Sequence, residues 1–123
     1  MLERYNRGNQ KQGWKNIKIL FVCSRNRWRS LTAEKIFNGR NNHEVRSAGT
    51  EENARIKITA GHIGWSDIIF VMEKKHQVRI EQKYRDELSG KKVIRLDIAD
   101  EYEYMDEELI DLLESRVLEH IEI

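Results

Sequence analysis

Two short runs of branched and aromatic residues constrain this chain more than anything else in it. They are Lys15–Val22, with Ile17, Ile19, Leu20, Phe21 and Val22, and Asp67–Met72, with Ile-Ile-Phe-Val-Met. A strand with one wet face alternates polar and apolar residues, and these runs do not. Each therefore reads as a strand buried on both faces, the pattern of a parallel sheet covered on both sides. Two weaker strands are expected at Glu44–Ser47, closed by Gly49, and at Lys92–Leu96, entered through Ser89-Gly90.

Helical spacing fills the gaps between them. Ala33, Ile36 and Phe37 share a face in a helix that Ser30 is expected to N-cap and Asn38-Gly39 to end. Lys74–Tyr84 reads as a second helix. Asn53–Trp65 is ambiguous: two glycines weaken a helix there, while Ile58, His62 and Trp65 would share one face. Asp106–Ile121 is strongly amphipathic, with Leu109, Leu113 and Val117 in an i, i+4 row, Asp106 as N-cap and Glu107 and Glu108 at its positive end. Strands alternating with helices predict an α/β fold, a doubly wound parallel four-stranded sheet with helices on both faces.

The 123 residues suit one domain, expected over 15–123, behind a polar arm over 1–14 that lacks both periodicity and the apolar core of a secretory signal. No apolar run approaches the length that crosses a bilayer. The single cysteine excludes an internal disulfide framework and a multi-cysteine zinc site, so the cytoplasm is the expected compartment. The net charge of +1 conceals an asymmetry: 18 bases and 9 acids from Lys15 to Leu96, then 11 acids and one base from Asp97 onward. A nucleic-acid binder carries an uncompensated basic stripe, which this balance does not supply.

The chemistry concentrates in Val22-Cys-Ser-Arg-Asn-Arg-Trp-Arg-Ser30. Ligands of open α/β sheets bind beyond the carboxyl ends of the strands, and Cys23 stands there, after a strand and before a helix. The five residues Ser24, Arg25, Asn26, Arg27 and Trp28 give a loop that can curl with its backbone N–H groups inward as an anion nest. The helix N-terminus adds partial positive charge. Such surroundings favour the thiolate, the nucleophilic form of cysteine. Arg29 offers a planar fork to two phosphate oxygens, and Ser30 is placed to donate to the sulfur.

This segment resembles the phosphate loop of the low-molecular-weight protein tyrosine phosphatases. Ser47-Ala-Gly-Thr50 resembles the family's second-strand signature, Asp67–Met72 with Glu73 its third strand, and Asp97-Ile-Ala-Asp100-Glu-Tyr102 its acid loop. The resemblance runs from Lys15 to about Val117. It implies a flavodoxin-like sheet and a phosphomonoesterase reaction through a phosphocysteine, with Asn26 holding the loop in shape. The resemblance also implies that Ser47 supports the site and that Tyr102 stands at the substrate mouth. Phosphorylated protein or a small aryl phosphate is the implied partner. No cofactor or metal is indicated, and no membrane or nucleic acid is expected. His43, His76 and His120 show no ligand spacing with one another and are expected at the surface.

A general acid eases departure of the leaving group. Its position relative to Tyr102 favours Asp100, with Asp97 as runner-up. The chain departs from the family in several places. Glu101 replaces the proline that usually follows the acid. Arg25 replaces a common glycine, which strains the backbone if that position needs positive φ; its charge also suits multiply phosphorylated ligands. Trp28 stands where many members carry a second, protective cysteine. The stretch from Thr50 to Asp67 is short, as though a helix and part of the recognition loop were missing. The family's loop-ordering histidine has no secure match, Asn53 and His62 being the candidates. Trp28, Tyr102 and Tyr104 either line an aromatic mouth or pack away, Trp28 under the loop and Tyr104 against the last helix. Two other functions fit the same loop: a non-catalytic phosphate- or phosphoprotein-binding module, favoured by Arg25, Arg27 and Arg29, and, more remotely, arsenate reduction, which generally uses more thiols.

Overall fold

The computed structural model describes residues 16–123, so the expected arm over 1–14 lies outside the described residues. Four parallel strands, β1 (Lys18–Cys23), β2 (Glu44–Gly49), β3 (Ile68–Val71) and β4 (Lys92–Arg95), form one sheet in the order β2-β1-β3-β4. Between and after them lie α1 (Arg29–Phe37), α2 (Ala60–Trp65), α3 (Lys74–Lys83), α4 (Arg85–Leu88) and α5 (Glu107–Leu118).

The unbroken apolar runs are buried on both faces because successive residues feed two different cores. Ile19, Phe21 and Cys23 of β1 face α1 and α5, packing with Ala33, Phe37, Leu109, Leu113 and Val117. Leu20 and Val22 face the other way, with Ile58, Ile63 of α2, Ile80 of α3 and Tyr84. Phe21 stacks between Phe37 and Phe70, with ring centroids 5.6 and 5.2 Å away. The α5 row Leu109, Leu113 and Val117 is fully buried, and Asp106 caps the helix by accepting from the Glu108 N–H at 2.8 Å.

Four expectations are corrected. Ser30 does not cap α1: the helix starts one residue earlier, Trp28 holds the cap position without a side-chain bond, and the Ser30 hydroxyl is committed to Cys23. The 50–67 stretch keeps a helix despite its brevity. Ile58 precedes that helix and Ile63 is its buried residue, because Thr59 caps α2 by accepting from the His62 N–H at 3.3 Å. His43 and His76 are buried rather than at the surface. In His43, Nδ1 accepts from the Ile17 N–H (3.1 Å) and Nε2 donates to the Glu122 carbonyl (3.2 Å), tying the start of β1 to the chain's last residues. Burial lowers the pKa of His43, so it serves there as a neutral bridge. His76 belongs to the site and is treated below.

Register fixes where the chemistry sits. Cys23 pairs with Gly49 at the carboxyl ends of β1 and β2, which brings the chain after β2 alongside the loop after β1. The approach is so close that a Cβ on Gly49 would lie 2.5 Å from the Ser24 carbonyl oxygen and 3.0 Å from the Arg25 carbonyl carbon. Gly64, by contrast, has open space around it. Gly49→Ala should therefore cost about 1–3 kcal/mol of stability through overpacking against backbone, while Gly64→Ala, inside α2, is neutral or stabilising. Urea unfolding of the two variants measures the difference, and equal midpoints would refute the contact.

Candidate active site

The loop from Ser24 to Trp28 is shaped from outside. The Cys23 and Ser24 carbonyls accept from the Thr50 and Glu51 N–H groups, each at 3.0 Å. The Arg25 carbonyl accepts from the Arg55 N–H at 2.9 Å, and the Asn26 carbonyl from Arg55 Nε at 3.1 Å. Four consecutive carbonyls are thus turned toward the 50–55 segment. Across a trans peptide the C=O and the next N–H point in opposite directions, so the N–H groups of residues 24–27 turn the other way, into the loop. One is seen directly: the Asn26 N–H points at Cys23 Sγ, 3.3 Å away. Asn26 makes the reversal with φ of 59°, a left-handed conformation that asparagine tolerates. Arg25 has no positive φ, so the strain conditional on that geometry does not arise.

Cys23 is a buried free thiol at the base of this nest. Its Sγ lies 2.9 Å from Ser30 Oγ, and Asn26 Nδ2 donates to the same Oγ at 2.8 Å. With the amide donating to the hydroxyl oxygen, the hydroxyl proton is free to point at sulfur. The relay Asn26–Ser30–Cys23 therefore stabilises negative charge on Sγ.

Arg29 is 2 % exposed, and its charge is compensated inside the protein. Nη1 donates to Glu73 Oε2 and, at 2.8 Å, to the Ile98 carbonyl. The Nε edge faces Asp100, whose Oδ1 is 3.8 Å away. Asp100 lines a cleft together with Cys23, Ser24, Arg25, Arg27, Trp28 and Arg29. The acid loop is hung there by the Ile98 N–H, which donates to the Met72 carbonyl at 2.8 Å. Glu101 donates its N–H to the Ala99 carbonyl at 2.9 Å, a turn that proline, having no N–H, could not close.

Other expected site residues fall elsewhere. Asp97 pairs with Arg95 Nε at 2.7 Å and lines a groove with Arg116 and Glu119, away from Cys23. Ser47, on β2, donates to Glu34 on α1, bracing sheet and helix rather than touching the cleft. Tyr102 packs against the α5-side core and borders a groove with Glu108, Asp111, Leu112 and Ser115, not the Cys23 cleft. Trp28 is exposed on the cleft rim, and Tyr104 is exposed without lining it.

The histidine that bonds to the loop in this chain is His76, which was expected at the surface. Its Nδ1 accepts from the Glu73 N–H at 3.0 Å, so Nε2 carries the proton and donates to Ser24 Oγ at 2.9 Å. Burial, with the Arg29 and Lys75 charges nearby, pushes its pKa down to about 3. His62, one of the two candidates for this role, instead accepts from the Thr59 N–H at 3.1 Å as part of the α2 cap. Asn53 makes no hydrogen bond to the loop among the described residues. The available signal was position: Glu73 and His76 follow β3, the neighbour of β1, at the same carboxyl edge as Cys23. Among the described residues no cluster of three metal-ligating side chains occurs and no helix is long and apolar enough to cross a membrane.

Residues 18–63 match the family model described as low molecular weight phosphotyrosine protein phosphatase. No curated protein matches the chain. Among solved structures, the YwlE arginine phosphatase from Geobacillus stearothermophilus aligns with 22 % identity and a TM-score of 0.63, covering 87 % of this chain and 99 % of that one. The tyrosine phosphatase Wzb from Escherichia coli, in complex with phosphate, gives 21 % and 0.68 over 85 % and 95 %. The tyrosine phosphatase amsI from Erwinia amylovora gives 23 % and 0.68 over 87 % and 92 %. The family resemblance read from the sequence and its flavodoxin-like sheet are borne out.

Because native His76 stays neutral down to about pH 3 while an unfolded histidine protonates near 6.5, the unfolded state binds the extra proton between those values. Stability from this group is complete above about pH 6.5 and falls on acidification, by up to about 1.4 kcal/mol per pH unit. His76→Gln, which does not titrate, should show a shallower loss from pH 6.5 to 4 in chemical unfolding. Parallel curves would remove His76 as the acid-sensitive group.

Proposed function

We propose that this chain, with the nucleophile segment and fold of the low molecular weight phosphotyrosine protein phosphatases, hydrolyses phosphomonoesters through a phosphocysteine. The observation that carries the reading is the Cys23 sulfur at the base of a nest in which the four carbonyls of residues 23–26 are bonded outward, with Arg29 and Asp100 on the same cleft.

In the first step the Cys23 thiolate attacks phosphorus as the ester oxygen departs. An S–P bond forms, the P–O ester bond breaks, and Asp100, protonated, delivers its proton to the leaving oxygen. The equatorial oxygens are held by the loop N–H groups and by the Nε edge of Arg29, whose other edge is fixed by Glu73 and Ile98. In the second step Asp100, now a carboxylate, takes a proton from water, the water oxygen attacks phosphorus, and the S–P bond breaks. The products are phosphate and the regenerated thiolate, which Ser30 Oγ stabilises as leaving group. The fixed orientation of Arg29 keeps its fork aligned through both steps without reorganisation.

Hydrolysis of p-nitrophenyl phosphate tests the reading. Cys23→Ser should reduce turnover to background while the loop still binds phosphate, and near wild-type activity in that variant would sink the mechanism. Asp100→Asn should slow esters with poor leaving groups by ~10²–10⁴ and activated aryl esters much less. A uniform small effect across leaving groups would remove Asp100 as the acid.

A further inference from the structure

The cleft carries two guanidinium groups beyond the one aimed at the phosphate. The nest, the α1 N-terminus and the Nε edge of Arg29, whose own charge is met by Glu73, already supply the donors a phosphate needs. Arg25 and Arg27 line the same cleft on either side of buried Asn26, and both are exposed. The nearest carboxylate to Arg25 is Glu51, 3.8 Å away, with both side chains substantially in solvent, a weak contact. Arg27 has no hydrogen-bond or ion-pair partner among the described residues. Two guanidinium groups two residues apart, beside a third, repel one another. No contact within the described chain offsets that repulsion for Arg27.

Resting on the reading of the cleft as a phosphomonoester site, we propose that its substrate is a phosphorylated side chain within an acidic protein segment. Arg25 and Arg27 receive carboxylates flanking the scissile phosphate, while the loop and Arg29 hold the phosphate itself. Trp28, exposed on the same rim, supplies a flat apolar face against which an aromatic ring bearing the phosphate can lie. The same rim disfavours phosphoarginine, which keeps a guanidinium beside its phosphate and would meet two like charges. Among aligned structures that include both an arginine phosphatase and tyrosine phosphatases, the charge at this rim therefore selects an ester in acidic surroundings.

The experiment uses phosphotyrosine peptides of one length with Glu, Ala or Lys on both sides of the phosphorylated residue, and p-nitrophenyl phosphate as reference. At low ionic strength kcat/KM should be about tenfold higher for the Glu-flanked than the Lys-flanked peptide, the scale of two exposed ion pairs. The ratio should shrink in added salt. In R25E/R27E, normalised to its own p-nitrophenyl phosphate rate, the order should invert. Binding of the labelled peptides to Cys23→Ser should follow the same order. Equal rates for the peptides, or a preference that survives the double charge reversal, overturns the inference. A small bisphosphate turned over better than the Glu-flanked peptide also overturns it, by moving the second anion from a protein segment to a small molecule. If the wild type hydrolyses none of these compounds, the phosphatase reading fails, and the binding order of the peptides alone then decides the charge preference.

Discussion

The site depends on a set of backbone hydrogen bonds in which the 50–55 segment captures the carbonyls of residues 23–26. A five-residue loop left to itself has no reason to present all its N–H groups on one side, because its carbonyls would seek water in every direction. Bonding the carbonyls of residues 23–26 outward removes that freedom over the first part of the loop. The nest is consequently a product of the parallel pairing of β1 with β2, which sets Cys23 beside Gly49. A side chain at Gly49 would hold the two segments apart.

Around that loop the protein arranges charge so that little reorganisation is left on binding an anion. Burying a guanidinium is costly unless it is paired and hydrogen-bonded. Arg29 meets that condition through Glu73 and the Ile98 carbonyl, which occupy one nitrogen and leave the opposite edge at the cleft. His76 stays neutral because it is buried beside Arg29. Neutrality in turn lets it accept from Glu73 and donate to Ser24 at once. Residues after β1, β3 and β4 are thereby locked into one network at one edge of the sheet.

The departures from the family pattern acquire physical meaning in this setting. Arg25 incurs no backbone strain, since the left-handed residue is Asn26. Glu101 closes a turn with an N–H that proline lacks. Trp28, standing where many members have a second cysteine, leaves Cys23 without a partner thiol in this chain. Overoxidation of that sulfur is then harder to reverse. The short 50–67 stretch retains what the loop needs, namely the donors at Thr50, Glu51 and Arg55 and the small helix α2.

By itself the sequence determined the features that depend on neighbours along the chain. Unbroken apolar runs meant strands buried twice, an i, i+4 row meant the α5 face, and Cys23, Arg29 and Ser30 are held in one reach by their spacing alone. Only the tertiary structure decided which distant groups complete the site. Asp100 rather than Asp97 reaches the cleft because the chain after β4 is pinned at Ile98, turning one carboxylate inward and leaving the other to Arg95. Ser47 and Tyr102 carry family-like positions yet point to Glu34 and the α5-side core. His76 looked like a charged-surface residue because burial is a property of what packs on a helix, and nothing within Lys74–Lys83 records that α3 lays its first turn over the loop of another strand. Local pattern fixes elements and the loop that begins at Cys23. Burial and the pairing of remote polar groups arise from sheet order and register, which no single stretch of sequence contains.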